Sequence, residues 1–418
     1  MIRNRMALIC LVGIAVLAIT VGAAADATDE WLQANQLGPY YSDTHDWDAI
    51  LEAALLEGEV TVYSSSSRIY QAADTFMEEY DFGIWVNSFD LGSAKAVDKT
   101  IREYEAGQFN CDVLFTTSAE LVFRAIPEGI VYNFVPDNIA PYIREDRAWP
   151  LLLQRTSGGT CYYNTEQFPD GPQFPDGTPV DNLWDLTRPE WRGNVLFKNP
   201  LSSESTFNYM STVVAHADEM KAAYEKKYGE LVLSPGVPDA GYEWLYRLMR
   251  NDPVLTGSSD DVVEGIGTPV SKGNTVPKIS SFTSGSKIRY NQSKGYTLGV
   301  LKMEPAHVIL NPTYIMIPAN APHPNAAKLL IKWLMGSEEP ILEGITEFEE
   351  PYYEGESARM LQGRTPWFVT SAWAPMDGYP IPADTLPLEP PTLYWLVDQE
   401  YIWDNQLQIQ EAFILYGG

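Results

Sequence analysis

The stretch VTVYSSSSR, residues 60–68, decides the fold class of this chain. A short apolar strand runs directly into four consecutive hydroxyls, Ser64 to Ser67, and then a cation, Arg68. Loops at the carboxyl ends of parallel strands are where α/β domains place their ligands. We therefore expect residues 60–68 to form one wall of a small-molecule cleft.

Helices and strands alternate on both sides of this stretch. An apolar stripe at helical spacing begins at Trp47 and stops at Gly58, just before the strand. Two further strands, GIWVNSF (83–89) and CDVLF (111–115), follow with helical patterns between them. This alternation predicts a parallel sheet covered by helices on both faces.

Other strands also end in hydroxyls. CDVLF runs into Thr116, NVLFKNP (194–200) into Ser202, and VPKISSFTSGS (276–286) contains a further group. Parallel strands share a direction, so the loops of one sheet should meet at one edge. The alternative for such hydroxyls is ordinary capping of helix starts, and for Arg68 a place on the surface. The candidate ligand-binding residues are Ser64, Ser65, Ser66, Arg68, Thr116, Thr117, Ser118, Ser202, Ser203, Ser205, Thr206, Ser281, Thr283 and Ser284.

The pattern changes near Gly158. A β-rich run, GGTCYYNT, starts there, and the turn-forming segment 168–182 follows, so Gly158 and Gly159 are candidate hinge residues between two lobes. Further helices are predicted from Phe207 towards Tyr228, over 324–336 and over 394–415, with a returning strand, NPTYIMIP, at 311–318.

Composition excludes some classes of partner. The chain has 418 residues, which is enough for two lobes with separate cores. Its formal charge of −28 argues against binding to nucleic acid or an anionic membrane, because both require a basic patch. The acidic run 338–356 is interpreted as a solvated face.

Residues 1–25 resemble a secretory signal, with two arginines, an apolar run and small residues before Asp26. The alternative is an uncleaved membrane anchor, for which the apolar run is short. Export would permit Cys111 and Cys161 to pair, so a disulfide and two buried thiols are both open.

The order of motifs resembles exported solute-binding proteins of ABC importers, in the branch that includes the ferric-iron-binding proteins. The resemblance lies in three stretches: WDAILEAALLEGEVTVYSS (47–65), LWDLTRPEWRGNV (183–195) and APHPNAAKLLIKWLMGSEE (321–339). It implies a type II periplasmic binding fold, with two α/β lobes of mixed, mainly parallel sheets joined by a hinge. The implied division is a signal peptide (1–25), an N-terminal arm (26–45), a first lobe (46–157 and 308–360) and a second lobe (158–307 and 361–418).

This chain departs from the ferric-binding pattern at the residues that would bind the metal. Those relatives carry adjacent tyrosines shortly before the returning strand, and the matching stretch here, ISSFTSG (279–285), has none. Strand alternation points Tyr162 and Tyr163 to opposite faces, so they are an unsuitable chelating pair. We therefore predict no metal-ligating residues and no cofactor.

The resemblance implies a periplasmic receptor that captures a small polar or anionic solute between its lobes. It would act as a monomer and deliver the solute to an ABC permease in the inner membrane. A set of neutral donors with Arg68 as counter-charge favours an oxyanion. Alternatives are ferric iron held with an exogenous anion, a sugar stacked on some of the 12 Trp and 24 Tyr, a receptor that feeds a membrane sensor, and an extracellular enzyme.

Overall fold

The computed structural model describes residues 27–118, 120–336, 362–368, 372 and 393–417. The predicted signal segment and the acidic run 338–356 lie outside these residues. The described strands are β1 (Glu59–Ser64), β2 (Trp85–Asp90), β3 (Val113–Thr116), β4 (Val131–Tyr132), β5 (Leu152–Asn164), β6 (Val195–Lys198), β7 (Val254–Thr256), β8 (Ile279–Ser280), β9 (Thr283–Ser284), β10 (Leu298–Leu301), β11 (Val308–Pro318) and β12 (Tyr394–Leu396).

Helices separate most of these strands, as the alternating pattern predicts. The described α-helices are α1 (Trp47–Glu57), α2 (Ile69–Glu79), α3 (Ser93–Glu105), α4 (Glu145–Ala148), α5 (Glu204–Ala215), α6 (Ala217–Tyr228), α7 (Ala240–Arg250), α8 (Ser259–Gly267), α9 (Tyr290–Lys294), α10 (Pro324–Met335), α11 (Thr365–Phe368) and α12 (Gln399–Tyr416). Residues 27–34 are also helical. None of the helices in the described part of the chain combines the length and apolar character that crossing a bilayer requires.

Two long strands join the two halves of the sheet. The strand order is β2-β1-β3-β11-β5-β8-β6-β7, with β5 and β11 antiparallel at the centre. On one side β1 pairs in parallel with β2 and β3, and on the other β6 pairs in parallel with β7 and β8. The predicted arrangement of two α/β lobes with mixed sheets is confirmed.

Separate apolar cores stabilise the two lobes. One contains the inward faces of β1, β3, α2 and α10, and the other those of β6, α5, α7 and α12. Trp367 and Ala372, from the segment predicted for the second lobe, pack into the first core. The chain therefore passes between the two lobes more than once.

Two local predictions differ from the structure. The helix predicted over 207–228 is two helices, because the chain turns at His216, whose ring stacks on Trp395 with centroids 4.2 Å apart. Residues 394–396 pair with β11 as a strand before α12 begins. Gly158 and Gly159, the candidate hinge residues, lie inside β5, one of the two strands that join the halves of the sheet, and pair with Leu310 and Ile309.

Both described cysteines are free thiols, which decides against a disulfide. Cys111 is buried against the helix α3 side of the first lobe, and Cys161 is buried in the core of the second. Burial raises the thiol pKa of both. They are therefore inert packing residues at neutral pH.

Candidate functional site

A cleft of about 740 Å³ lies between the lobes. The first lobe contributes residues 91–95 after β2, together with Ser118 and Glu120 after β3. The second lobe contributes residues 200–204 after β6, the beginning of α5, and one side of α12. The walls are thus strand-to-helix loops, as expected for a ligand site in an α/β protein.

Glu204 connects the two walls. Its Oε2 accepts a hydrogen bond from the backbone N–H of Ala94 at 2.8 Å, in the first turn of α3. Desolvation raises the pKa of Glu204 to about 7, although this hydrogen bond and the nearby side chains of Ser93 and Ser118 oppose the shift. A carboxyl group of the second lobe thus occupies a helix N-terminus of the first, which is a position that favours anions.

An aromatic contact joins the lobes at a second point. Phe123, which follows β3, stacks on Trp403 of α12 with ring centroids 5.9 Å apart and planes inclined by 22°. Stacked rings of this kind add modest stability beyond the area they bury. The structure is therefore in an arrangement in which the lobes touch.

The strands that join the lobes present a polar face. Arg155 lies opposite Thr313, and Ser157 lies opposite Asn311, in the antiparallel pairing of β5 with β11. Directly opposed residues and alternate residues share one face of a sheet, so these four side chains lie together. Thr313 Oγ1 and Asn311 Oδ1 are buried and have no hydrogen-bond partner among the described residues.

Buried polar atoms without partners also occur in the second lobe. Within the described residues they include Asn208 Nδ2 and Ser211 Oγ on α5, and Ser281 Oγ and Thr283 Oγ1 beside β5. Asn208 also lines the cleft. Such atoms cost about 1–3 kcal/mol each when nothing satisfies them. They are typical of a site where water or a ligand supplies the missing hydrogen bonds.

The hydroxyls of residues 64–66 hold their own loop. Ser64 Oγ donates to the carbonyl of Ser66 at 3.1 Å and accepts from its N–H at 3.0 Å. Ser66 Oγ accepts from Trp367 Nε1 at 3.2 Å, and the Ser65 N–H donates to Phe115 O at 2.9 Å. Arg68 immediately precedes α2. These hydrogen bonds fix the conformation of the loop itself.

The loop after β3 lies at the same edge of the sheet as the loop after β1, as predicted, because the two strands pair in parallel. Thr116 Oγ1 donates to Ser93 O at 3.4 Å, and the Thr117 and Ser93 hydroxyls are 3.0 Å apart. Ser118 lines the cleft together with Glu204. Two of these three hydroxyls therefore position the loop that carries Ser93 and Ala94.

The hydroxyls of the second lobe divide in a similar way. Ser202 and Ser203 line the cleft, and Ser203 also caps α5 through the N–H of Thr206 at 3.5 Å. Ser205 Oγ lies 3.3 Å from Ser203 Oγ, and Thr206 Oγ1 donates to Ser203 Oγ at 3.1 Å. Ser281 and Thr283 carry the unpartnered hydroxyls described above, while Ser284 pairs with Ser286 at 2.9 Å.

Sequence reasoning missed several residues of the site. The loop after β2, Leu91 to Lys95, ends a strand in the same manner as the predicted loops and carried the same signal. Glu204 lies between the predicted residues Ser203 and Ser205 but is not itself among the predicted ligand-binding residues. A charged Arg155 inside the apolar run LLLQRT was a signal too, because buried strands rarely contain an arginine.

No group of three His, Cys, Asp or Glu residues suited to a metal ion occurs in the described ranges. Tyr162 is buried, and its hydroxyl donates to the carbonyls of Ser284 and Gly285 at 3.1 and 2.7 Å. Tyr163 packs against the core on the other side of the strand. The two phenols therefore do not converge on one point.

No protein-family model and no curated protein sequence matches this chain. Solved structures are similar to it. Iron-bound HitA from Pseudomonas aeruginosa is 13% identical with a TM-score of 0.58, and the alignment covers 86% of this chain and 99% of that chain. The periplasmic binding protein AfuA from Actinobacillus pleuropneumoniae, with fructose-6-phosphate bound, is 14% identical with a TM-score of 0.58, covering 86% and 98%.

The Trichodesmium protein IdiA (FutA), in complex with iron and citrate, is 15% identical with a TM-score of 0.53, covering 86% of this chain and 99% of that chain. At such identities the likeness establishes the fold. The predicted type II periplasmic binding fold, and the resemblance to the ferric-iron-binding branch at the level of fold, are confirmed.

Proposed function

We propose that this chain, which has the fold of the periplasmic solute-binding proteins, is an exported receptor that captures a small polar or anionic solute between its lobes. It delivers the solute to an ABC permease in the inner membrane. The observation that carries the proposal is the cleft itself, because both lobes line it and Asn208, one of its lining residues, carries a buried amide nitrogen with no partner among the described residues.

Capture of this kind needs no catalyst. Hydroxyl, amide and backbone groups replace the water of the solute, and closure of the lobes about β5 and β11 excludes the rest. Glu204 and Ala94, and Phe123 and Trp403, are the contacts that would form on closure. Two paired strands suit a hinge, since they can twist without losing their hydrogen bonds.

The predicted ligand-binding residues take different parts in this proposal. Ser118, Ser202 and Ser203 face the cleft, and Ser281 and Thr283 offer unpartnered hydroxyls. Thr116 and Thr117 contact Ser93, and Ser205 and Thr206 contact Ser203, so these four residues support groups that line the cleft. The same proposal includes a signal peptide at residues 1–25, a periplasmic location, a monomeric state, and lobes divided at about residues 157 and 308.

The similar structures favour two ligand classes within this function. HitA holds iron, and AfuA holds a phosphorylated sugar. In the present chain the segment 279–285 supplies hydroxyls in place of tyrosines, which favours an oxyanion over bare iron(III). An iron complex carried with an exogenous anion is the second candidate, because an anion can complete the coordination of the metal.

Native mass spectrometry of the protein purified from its own medium tests the proposal. We expect the native protein to carry a bound small molecule. We also expect the melting temperature of the emptied protein to rise when its ligand is added from a panel of phosphorylated sugars, carboxylates and ferric complexes. A ligand at a hundredfold excess over its Kd stabilises the folded state by about 2.7 kcal/mol.

Two results would contradict the proposal. One is an empty protein whose melting temperature no compound in the panel changes. The other is steady turnover of a phosphoester or glycoside by the pure protein, which would favour an extracellular enzyme on the same fold. A wild-type protein that binds solute without turnover supports the receptor.

A further inference from the structure

Arg155 is a buried cation on the polar face of the strands that join the lobes. Its side chain is 7% exposed, and its guanidinium lies 4.6 Å from the ring centroid of Phe115 and 5.1 Å from that of Trp367. Trp367 is itself held by Ser66 and packs edge-on against Phe115. Two aromatic faces thus fix the guanidinium in one orientation.

This guanidinium is short of hydrogen-bond acceptors. A guanidinium has five N–H donors. Among the described residues Arg155 makes one side-chain hydrogen bond, from Nη1 to Gln154 Oε1 at 3.2 Å, and no ion pair with a carboxylate. A buried cation without an anionic partner is costly, and its aromatic contacts offset only part of that cost. Most donors of Arg155 thus have no acceptor within the part of the chain that the structure describes.

Two charges that act on Arg155 within the described residues are also positive. Arg364, whose Nη1 donates to the carbonyl of Gln154, and Arg68 both repel it. Burial and this repulsion lower the pKa of Arg155 to about 9, so the group is still protonated at neutral pH. A positive region within a low dielectric attracts anions strongly.

The neighbouring side chains add neutral hydrogen-bonding groups. Thr313, directly opposite Arg155, and Asn311, next along the same face, both carry buried atoms without a partner. Arg155 and these two residues come from both strands of the hinge. A group bound by all three would hold β5 and β11 in one mutual orientation.

We propose that Arg155 binds the anionic group of the solute, a phosphate or a carboxylate, with Thr313 and Asn311 beside it. This inference rests on the proposed solute-binding function and specifies its ligand class. A planar guanidinium can donate two parallel hydrogen bonds to either oxyanion, whereas a lysine offers only a point charge. The counter-charge expected at Arg68 is thereby provided by Arg155, and Arg68 strengthens the positive region around it.

The test uses calorimetric titration of the full-length mature protein, emptied of solute, with four probes. Inorganic phosphate, fructose 6-phosphate and citrate are the anions, and fructose is the neutral control. The variants are R155M, R155K and the control R192M, which removes an exposed arginine paired with Asp252 on the second lobe. We expect an anionic probe to bind the wild type, R155M to weaken its affinity about 100-fold, R155K about 10-fold, and R192M to leave it within twofold.

The melting temperatures of the emptied proteins distinguish a loss of anion binding from a loss of stability. Because R155M removes a repelled and unpaired charge, its melting temperature should be no lower than that of the wild type in the absence of anions. A large fall would mean that Arg155 is a packing residue, and anion binding equal to that of the wild type would also overturn the inference. If fructose binds the wild type and R155M alike while no anion binds, the receptor function stands and the anion site does not. If native mass spectrometry shows an empty protein that no probe stabilises, the receptor function itself fails.

Discussion

Glu204 of the second lobe accepts a hydrogen bond from the backbone N–H of Ala94 in the first lobe, with Oε2 and N 2.8 Å apart. The contact crosses the cleft at the start of α3, where the helix dipole favours negative charge. Because desolvation nevertheless raises the pKa of this carboxyl group to about 7, the contact couples the closed arrangement to proton uptake.

Stability should therefore respond to pH through Glu204. Its pKa in the folded protein lies above the ordinary value of 4.5, so the folded state binds more protons than the unfolded chain between these values. The contribution of Glu204 to stability is then full below about pH 4.5 and is lost as the pH rises through about 7. We expect the melting temperature of the wild type, relative to that of Glu204→Gln, to fall over this interval.

Thermal melts at half-unit steps from pH 5 to pH 8 measure this difference. Glu120 and Lys95 line the same cleft and are unchanged in both proteins, so the comparison isolates Glu204. Glu225→Gln, an exposed change on α6, serves as the control and should follow the wild type. Parallel curves for the wild type and Glu204→Gln would show that the group does not couple to folding.

Gly159 should tolerate no side chain. A Cβ atom there would lie 2.6 Å from the buried ring of Tyr209, so α5 and β5 approach too closely for any other residue. We expect Gly159→Ala to reduce the free energy of unfolding by about 1–3 kcal/mol, because the ring and its helix must move. Urea denaturation measures the change, with Gly257→Ala as the control, since its nearest atom is 3.7 Å away. Equal losses in the two variants would refute the steric explanation.

Asp112 should be a major stabilising residue of the first lobe. The buried carboxylate accepts from the N–H groups of Thr61 and His323, each at 2.7 Å, and from His323 Nδ1 at 3.0 Å. It thereby connects β1 to the start of α10, which is distant in sequence. We expect Asp112→Ala to cost about 3 kcal/mol of unfolding free energy, because buried donors lose a charged acceptor.

Urea denaturation again provides the measurement. Asp98→Ala, which breaks an exposed pair with Arg102, is the matched control and should cost less than about 0.5 kcal/mol. A cost for Asp112→Ala as small as that of the control would show that water replaces the lost acceptor.

Cys111 and Cys161 should behave as two protected thiols. Both are buried, and they belong to different cores. We expect iodoacetamide to leave them unmodified in the native protein and to alkylate both after denaturation without reductant. Peptide mass mapping provides the readout. A linked pair of peptides, released only by reductant, would contradict the structure.

Part of the site was predictable because an apolar strand followed directly by hydroxyl residues marks a strand end in the sequence. The alternation around residues 60–68 placed β1, α2, β2, α3 and β3, and the hydroxyls at Ser118, Ser202 and Ser203 do reach the cleft. The same pattern did not distinguish these from Ser64 and Ser66. A hydroxyl that holds its own loop and one that faces a cleft have the same sequence signature.

By itself the sequence determined the order of elements, the two lobes and the likeness in fold. The spacing of apolar residues in helices and strands is a local property, so it can be read directly along the chain. Only the tertiary structure decided which polar groups lack partners. Arg155 meets Trp367 on one side and Thr313 on the other, and Glu204 meets Ala94, through contacts between segments far apart in the chain. Burial and electrostatic repulsion depend on such distances in space. Residues 60–68 indicated the fold, but only the structure shows that the hydroxyl of Ser64 bonds within its own loop.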